Sequence, residues 1–129
     1  MEPLPHGTAV IIIDHGSRLA AANAMLDDVV AMYRSTAGAE IVEAAHMELA
    51  EPTLEDATAR CVALGATSIV VHPYFLAPGR HSTGDIPRMV ADLAPHYPEV
   101  YFRVTEPLGV DAIMVRLMHQ RVMESLARD

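Results

Sequence analysis

Residues 8–14, TAVIIID, constrain this chain more than any other stretch. A run so apolar and so β-branched is a strand, and because its centre offers no polar position it needs cover on both faces. That is the situation of a central strand in a parallel sheet, with helices above and below. The run stops at a polar cluster, Asp14-His15-Gly16-Ser17-Arg18, so the strand delivers charged and ring-bearing groups at its C-terminal tip. In open α/β sheets that edge is where ligands bind.

The pattern then recurs. Residues 19–34 place Ala22, Met25, Leu26, Val29, Met32 and Tyr33 at helical spacing, and Gly38 follows as a stop. Residues 41–47, IVEAAHM, predict a weaker strand, diluted by alanine and interrupted by Glu43. Pro52 suits the first position of a helix whose buried stripe is Leu54, Ala57, Cys61 and Leu64, with Gly65 at its C-terminal cap. A third strand is expected over residues 68–75, and Pro78-Gly79 forces a turn after it. Asp85 then caps a short helix reaching Leu93, with Pro87 in its first turn and Pro95 as its stop. Residues 100–105, VYFRVT, predict a fourth strand. Asp111 caps a last helix to about Ala127, whose Met114, Leu117, Met118, Val122 and Leu126 share a stripe expected to be core or, alternatively, a subunit contact.

The order β-α-β-α-β-α-β-α with short connections implies an α/β fold: an open parallel four-stranded sheet with right-handed crossovers and helices on both faces. All loops that follow strands emerge on one edge. Neighbouring strands lie about 4.8 Å apart, so His15, Glu48 and His81 converge on one ion if the first three strands are neighbours.

A chain of 129 residues, 51% of them hydrophobic, is expected to form one domain over residues 1–129, with residues 1–7 as a flexible N-terminal tail. The single Cys61 can form no internal disulfide and reads as a small buried hydrophobe in a reducing compartment. No apolar run approaches the roughly 20 residues that span a bilayer, and the first residues lack a basic and apolar leader, so a cytoplasmic location and no membrane partner are expected. A net charge of -8 disfavours nucleic acid. No G-x-G-x-x-G or G-x-x-x-x-G-K-[ST] element is present, which leaves dinucleotide or nucleoside triphosphate binding without a motif.

An imidazole on a strand-to-helix turn faces the crevice and can bind a metal or accept a proton near neutral pH, which makes His15 the sharpest candidate; the alternative is a turn histidine bonded to a backbone carbonyl. Ser17 reads as a helix N-cap rather than a nucleophile, since no G-x-S-x-G elbow surrounds it. Glu48, taken alone, fits a solvated cap, and His81 a surface histidine. Two histidines and a glutamate at successive strand ends point instead to a first-row divalent ion with positions left open for a substrate. His46 shares a face with Glu48 by the period of two and is a candidate supporting residue only. His72 lies inside the third strand and reads as packed or structurally bonded.

The strand-HGSR opening, MELAEPTLEDA (residues 47–57), PYFLAPGRHSTGDIP (residues 73–87) and the EPLG element (residues 106–109) together resemble the small single-domain sirohydrochlorin chelatases of the cobalamin and sirohaem pathways. The resemblance implies a class II chelatase fold, one flavodoxin-like half of a two-domain chelatase, that pairs as a homodimer. It implies ATP-independent insertion of a divalent metal, cobalt foremost and iron or nickel otherwise, into sirohydrochlorin, with the metal as substrate and no permanently bound cofactor. His15 is then metal ligand and proton acceptor, His81 the second imidazole ligand, and Glu48 completes the metal site. Glu51 and the loop Leu76, Ala77, Pro78, Gly79, Arg80 and His81 touch the tetrapyrrole. Its carboxylates need partners, for which Arg18, Arg80 and Arg88, with Ser17 and helix N-termini at the same edge, are available. Gly84 stands where many relatives carry an acidic residue, and His72 replaces a commonly apolar one. The competing reading is a carrier or regulatory module that keeps fold and site without turnover.

Overall fold

A computed structural model describes residues 1–79 and 84–128. The sheet has four parallel strands in the order β2-β1-β3-β4: β1 (Thr8–Asp14), β2 (Ile41–His46), β3 (Ser68–Pro73) and β4 (Tyr101–Val104). The apolar run foreseen as a central strand is β1, flanked by β2 and β3, and it keeps the expected bounds. Among the described residues four α-helices alternate with the strands: α1 (Ala20–Ala37), α2 (Leu54–Ala63), α3 (Ile86–Leu93) and α4 (Ala112–Ala127).

Both faces of β1 are used. Val10 and Ile12 join Val42 and Ala44 under Leu26 and Val30 of α1. Ile11 and Ile13 join Ile69 and Val71 on the opposite face, where Leu54 and Cys61 of α2 and Ile86 and Val90 of α3 pack. Right-handed crossovers in this strand order put α1 on one face and α2 and α3 on the other.

Several local expectations need correction. Pro52 does not open α2: Thr53 is its N-cap, in a reciprocal capping box where Thr53 Oγ1 accepts the Asp56 N–H at 3.1 Å and Asp56 Oδ2 accepts the Thr53 N–H at 3.0 Å. Leu64 falls beyond the buried stripe and is exposed. β3 stops at Pro73, two residues early, because proline has no N–H to extend a ladder. Asp85 already has helical backbone angles and pairs with Arg88 at 2.5 Å instead of capping α3. Pro95 sits within a short 3-10 turn, Ala94–His96, that prolongs α3. Ser17 is not the N-cap of α1, which is Leu19.

The last helix departs most. Asp111 caps it as expected, its carboxylate accepting the Ile113 N–H at 2.8 Å, yet α4 contains no buried residue, so its stripe is not core in this chain. The sheet has a matching deficiency. Arg34 of α1 donates to the Val42 carbonyl and lies 3.9 Å from Glu43, so that flank of α1 faces β2. At about 100° per residue, Met25, Val29 and Met32 lie on the other flank, toward β3 and β4. There the sheet face carries half-buried Val70 and His72 and exposed Tyr101 and Arg103, the guanidinium stacked 4.8 Å from the Tyr101 ring centre. Among the described residues α1 is the helix packed on this face, over its β1–β2 half, and the Tyr101 and Arg103 side of the face stays exposed.

Candidate functional site

The tips of β1 and β2 remain laced beyond the ends of the strands. Met47 N–H donates to the Asp14 carbonyl at 2.8 Å and Glu48 N–H to the His15 carbonyl at 3.1 Å, so His15 and Glu48 are backbone neighbours although 33 residues apart in sequence. Gly16 makes this approach possible. Its φ is +87°, and a Cβ there would stand 1.8 Å from the Glu48 carbonyl oxygen. The Asp14 carboxylate accepts the Gly16 N–H at 3.0 Å and fixes the turn.

β3 supplies the third side. Tyr74 N–H donates to the Ile13 carbonyl at 2.7 Å, and the next residue, Phe75, sets its ring edge-on to His15 with centres 5.1 Å apart. An aromatic edge beside an imidazole restricts its rotation and shields one side from water. The loop after β4 closes behind this wall, Leu108 N–H bonding the Phe75 carbonyl at 2.9 Å and Gly109 N–H the Leu76 carbonyl at 2.8 Å. The EPLG element therefore braces the loop that leads toward His81.

His15 and Glu48 are exposed at this edge. Arg18 and Glu51 are exposed beside them, and Leu76, Ala77, Pro78 and Gly79 form an exposed stretch after Phe75. Arg80 and His81, the second expected imidazole, lie outside the described residues. Among the described residues no three His, Cys, Asp or Glu side chains group closely enough to hold a metal. A cleft of about 700 Å³ opens nearby between the start of α2 and α3, lined by Met47, Thr53, Met89 and Tyr97 among others, and it does not include His15 or Glu48.

Three supporting residues escaped the sequence reading. Asn23 clips the HGSR turn, its side chain accepting the Ser17 N–H at 2.9 Å and donating to the Ser17 carbonyl at 2.7 Å. Phe75 had a signal, its place at the end of an apolar run. Asp14 had one too, since a carboxylate next to a turn glycine commonly accepts its N–H. His72 is structurally bonded as expected: the Thr105 hydroxyl gives its proton to the Glu106 carbonyl, so it accepts from His72 Nδ1–H at 2.7 Å.

A parallel α/β sheet that gathers imidazole, carboxylate and aromatic ring at three strand tips belongs to the class of small α/β proteins that bind at the strand C-termini. The chain matches the model of the CbiX family over residues 9–125 and belongs to that family, in keeping with the chelatase resemblance of its motifs. It is 43% identical to the chloroplastic sirohydrochlorin ferrochelatase of Arabidopsis thaliana across 92% of this chain, and spans 52% of that relative's length. With the sirohydrochlorin cobaltochelatase of Methanopyrus kandleri it shares 30% identity over 94% of this chain and 99% of the relative. The cobalt complex of the sirohydrochlorin chelatase SirB from Bacillus subtilis subspecies spizizenii superposes with a TM-score of 0.85 at 31% identity, covering 91% of this chain and 50% of that one.

Proposed function

We propose that this chain is a sirohydrochlorin chelatase that inserts a divalent metal, cobalt foremost and iron or nickel as alternatives, without ATP and without a resident cofactor. The observation that carries the reading is the apposition of His15 and Glu48 at adjacent strand tips, in a chain whose relatives are named for this reaction. Insertion strips water from the ion and releases two pyrrole protons for each metal bound. A neutral imidazole is a suitable acceptor near neutral pH. Imidazole and carboxylate ligands without thiolate hold cobalt or iron loosely enough to pass it on. His81 is proposed as the second imidazole ligand, and Ser17, Arg18, Glu51 and residues 76–80 as the cradle of the macrocycle. The protein is read as one cytoplasmic domain that works as a homodimer.

Absorbance change of sirohydrochlorin with limiting protein and excess Co²⁺, Fe²⁺ or Ni²⁺ tests this. Many turnovers per chain are expected, and His15→Ala and His81→Ala should each slow insertion by about 100-fold or more with the fold intact by circular dichroism. Metal bound in stoichiometric amount, with the macrocycle spectrum unchanged, would instead identify a carrier.

A further inference from the structure

His46 ends β2 with 2% of its surface exposed, and its ring Nδ1 lies 2.6 Å from Asp14 Oδ1. That carboxylate oxygen also accepts the Gly16 N–H at 3.0 Å. It is acceptor in both bonds, so the imidazole carries its proton on Nδ1 and donates it. The His46 backbone N–H meanwhile donates to the Pro52 carbonyl at 2.8 Å, closing the loop that bears Glu48 and Glu51. One residue thus holds both halves of the site. Its ring acts through Asp14 on the turn that presents His15, and its main chain acts on the turn that presents Glu48.

There is little slack for an alternative arrangement. A Cβ at Gly16 would lie 3.2 Å from the His46 Cβ as well as against the Glu48 carbonyl, so the turn sits close against both the base of the His46 side chain and the Glu48 loop. For stability alone, an apolar side chain at this buried strand end would serve equally well, since a buried polar pair roughly offsets its own desolvation. Geometry is what the pair adds. Metal ligands must be placed to within about 0.2 Å, and residues that orient ligands without touching the metal typically change affinity or activity by about 10–100-fold.

We propose that His46 is a positioning residue for metal transfer, setting the relation of His15 to Glu48 through its hydrogen bond to Asp14. The proposal rests on the metal-site reading of His15. Two polar variants separate positioning from mere packing. His46→Asn keeps an N–H donor where Nδ1 stands, whereas His46→Gln moves the donor one bond outward, away from Asp14. Steady-state insertion of Co²⁺ into sirohydrochlorin would be measured with each substrate varied in turn, alongside direct Co²⁺ titration by visible absorption. His46→Gln should lower kcat/KM for the metal by about 10–100-fold while KM for the tetrapyrrole stays within about twofold, and His46→Asn should recover most of the loss. Equal behaviour of the two variants, or a parallel loss in both substrates' parameters, overturns the proposal. His15→Ala serves as reference: if it leaves Co²⁺ affinity unchanged, the metal-site reading itself fails, whereas a loss there with a normal His46→Gln removes only the role of His46.

Discussion

Two histidines on neighbouring strands face different fates because of what surrounds their rings. His15 is exposed beside Phe75, just past the end of β1 at the sheet edge. His72, three residues before Phe75, is half-buried in β3, and burial lowers its pKa from the ordinary value of 6.5. The fold therefore prefers the neutral ring, and the unfolded chain takes up the proton first. Stability from this group is fully present above about pH 6.5, is lost as pH falls from there toward the lowered folded value, and levels off below it. In His72→Asn the Thr105 hydroxyl keeps a donor and nothing titrates. Urea unfolding at pH 7.5 and pH 5.5 should show the wild-type midpoint falling more than the variant's; equal falls would refute the assignment. Cys61 shows the same physics at a thiol: burial first, and Glu43 second, push its pKa up to about 12, so it stays protonated and unreactive in the native state.

At the scale of elements, α2 shows how local rules compete. Pro52 at a helix start is a sound expectation, but Thr53 and Asp56 form the T-x-x-D capping box that satisfies two orphan N–H groups at once, and that arrangement sets the first residue of the helix at Leu54. The signal was in the sequence and was outranked by the proline. Thr53→Ala should cost about 1 kcal/mol of unfolding free energy, and the double variant with Asp56→Ala should cost less than the sum of the single ones, because the two bonds serve one corner; strict additivity in urea titrations would argue against the reciprocal cap. The strands were more legible. β1 can be bounded to the residue because a run of isoleucines admits one structure, and the strand-end position of His15 follows from it; that of Glu48 follows from β2, which ends one residue short of the expected bound. The Asp14–His46 bond was not legible, since its partners lie 32 residues apart and only the observed register places them opposite each other. In α4 the expected stripe holds for Met118, Val122 and Leu126, while Leu117 stands about 180° from Leu126; periodicity says that a face needs cover and not which surface provides it.

That question belongs to the whole molecule. α4 presents Val115, Met118, Val122 and Leu126 to solvent at 56%, 65%, 49% and 60% exposure, and Met25 and Met32 of α1 stand 60% and 72% exposed on the flank that faces the bare half of the sheet. A helix without a face and a face without a helix occur on one chain, and reciprocal exchange between two copies satisfies both with a closed two-fold pairing. An exposed apolar side chain leaves on the order of 100 Å² in water. The six side chains named here then offer up to about 600 Å² per copy, three quarters of one partner's share in a standard interface of about 800 Å². In the Arabidopsis relative the matched part makes up 52% of the length, so the remainder is nearly as long as the part this chain matches. If the homodimer forms in this way, a charge on either surface breaks it: Met118→Glu on the helix and Met25→Glu on the groove wall should each shift wild-type dimer to monomer in sedimentation velocity, with α-helical circular dichroism largely kept. Dimerisation that survives both charges would place the interface elsewhere, and a wild-type chain that sediments as monomer would mean that α4 closes over its own sheet.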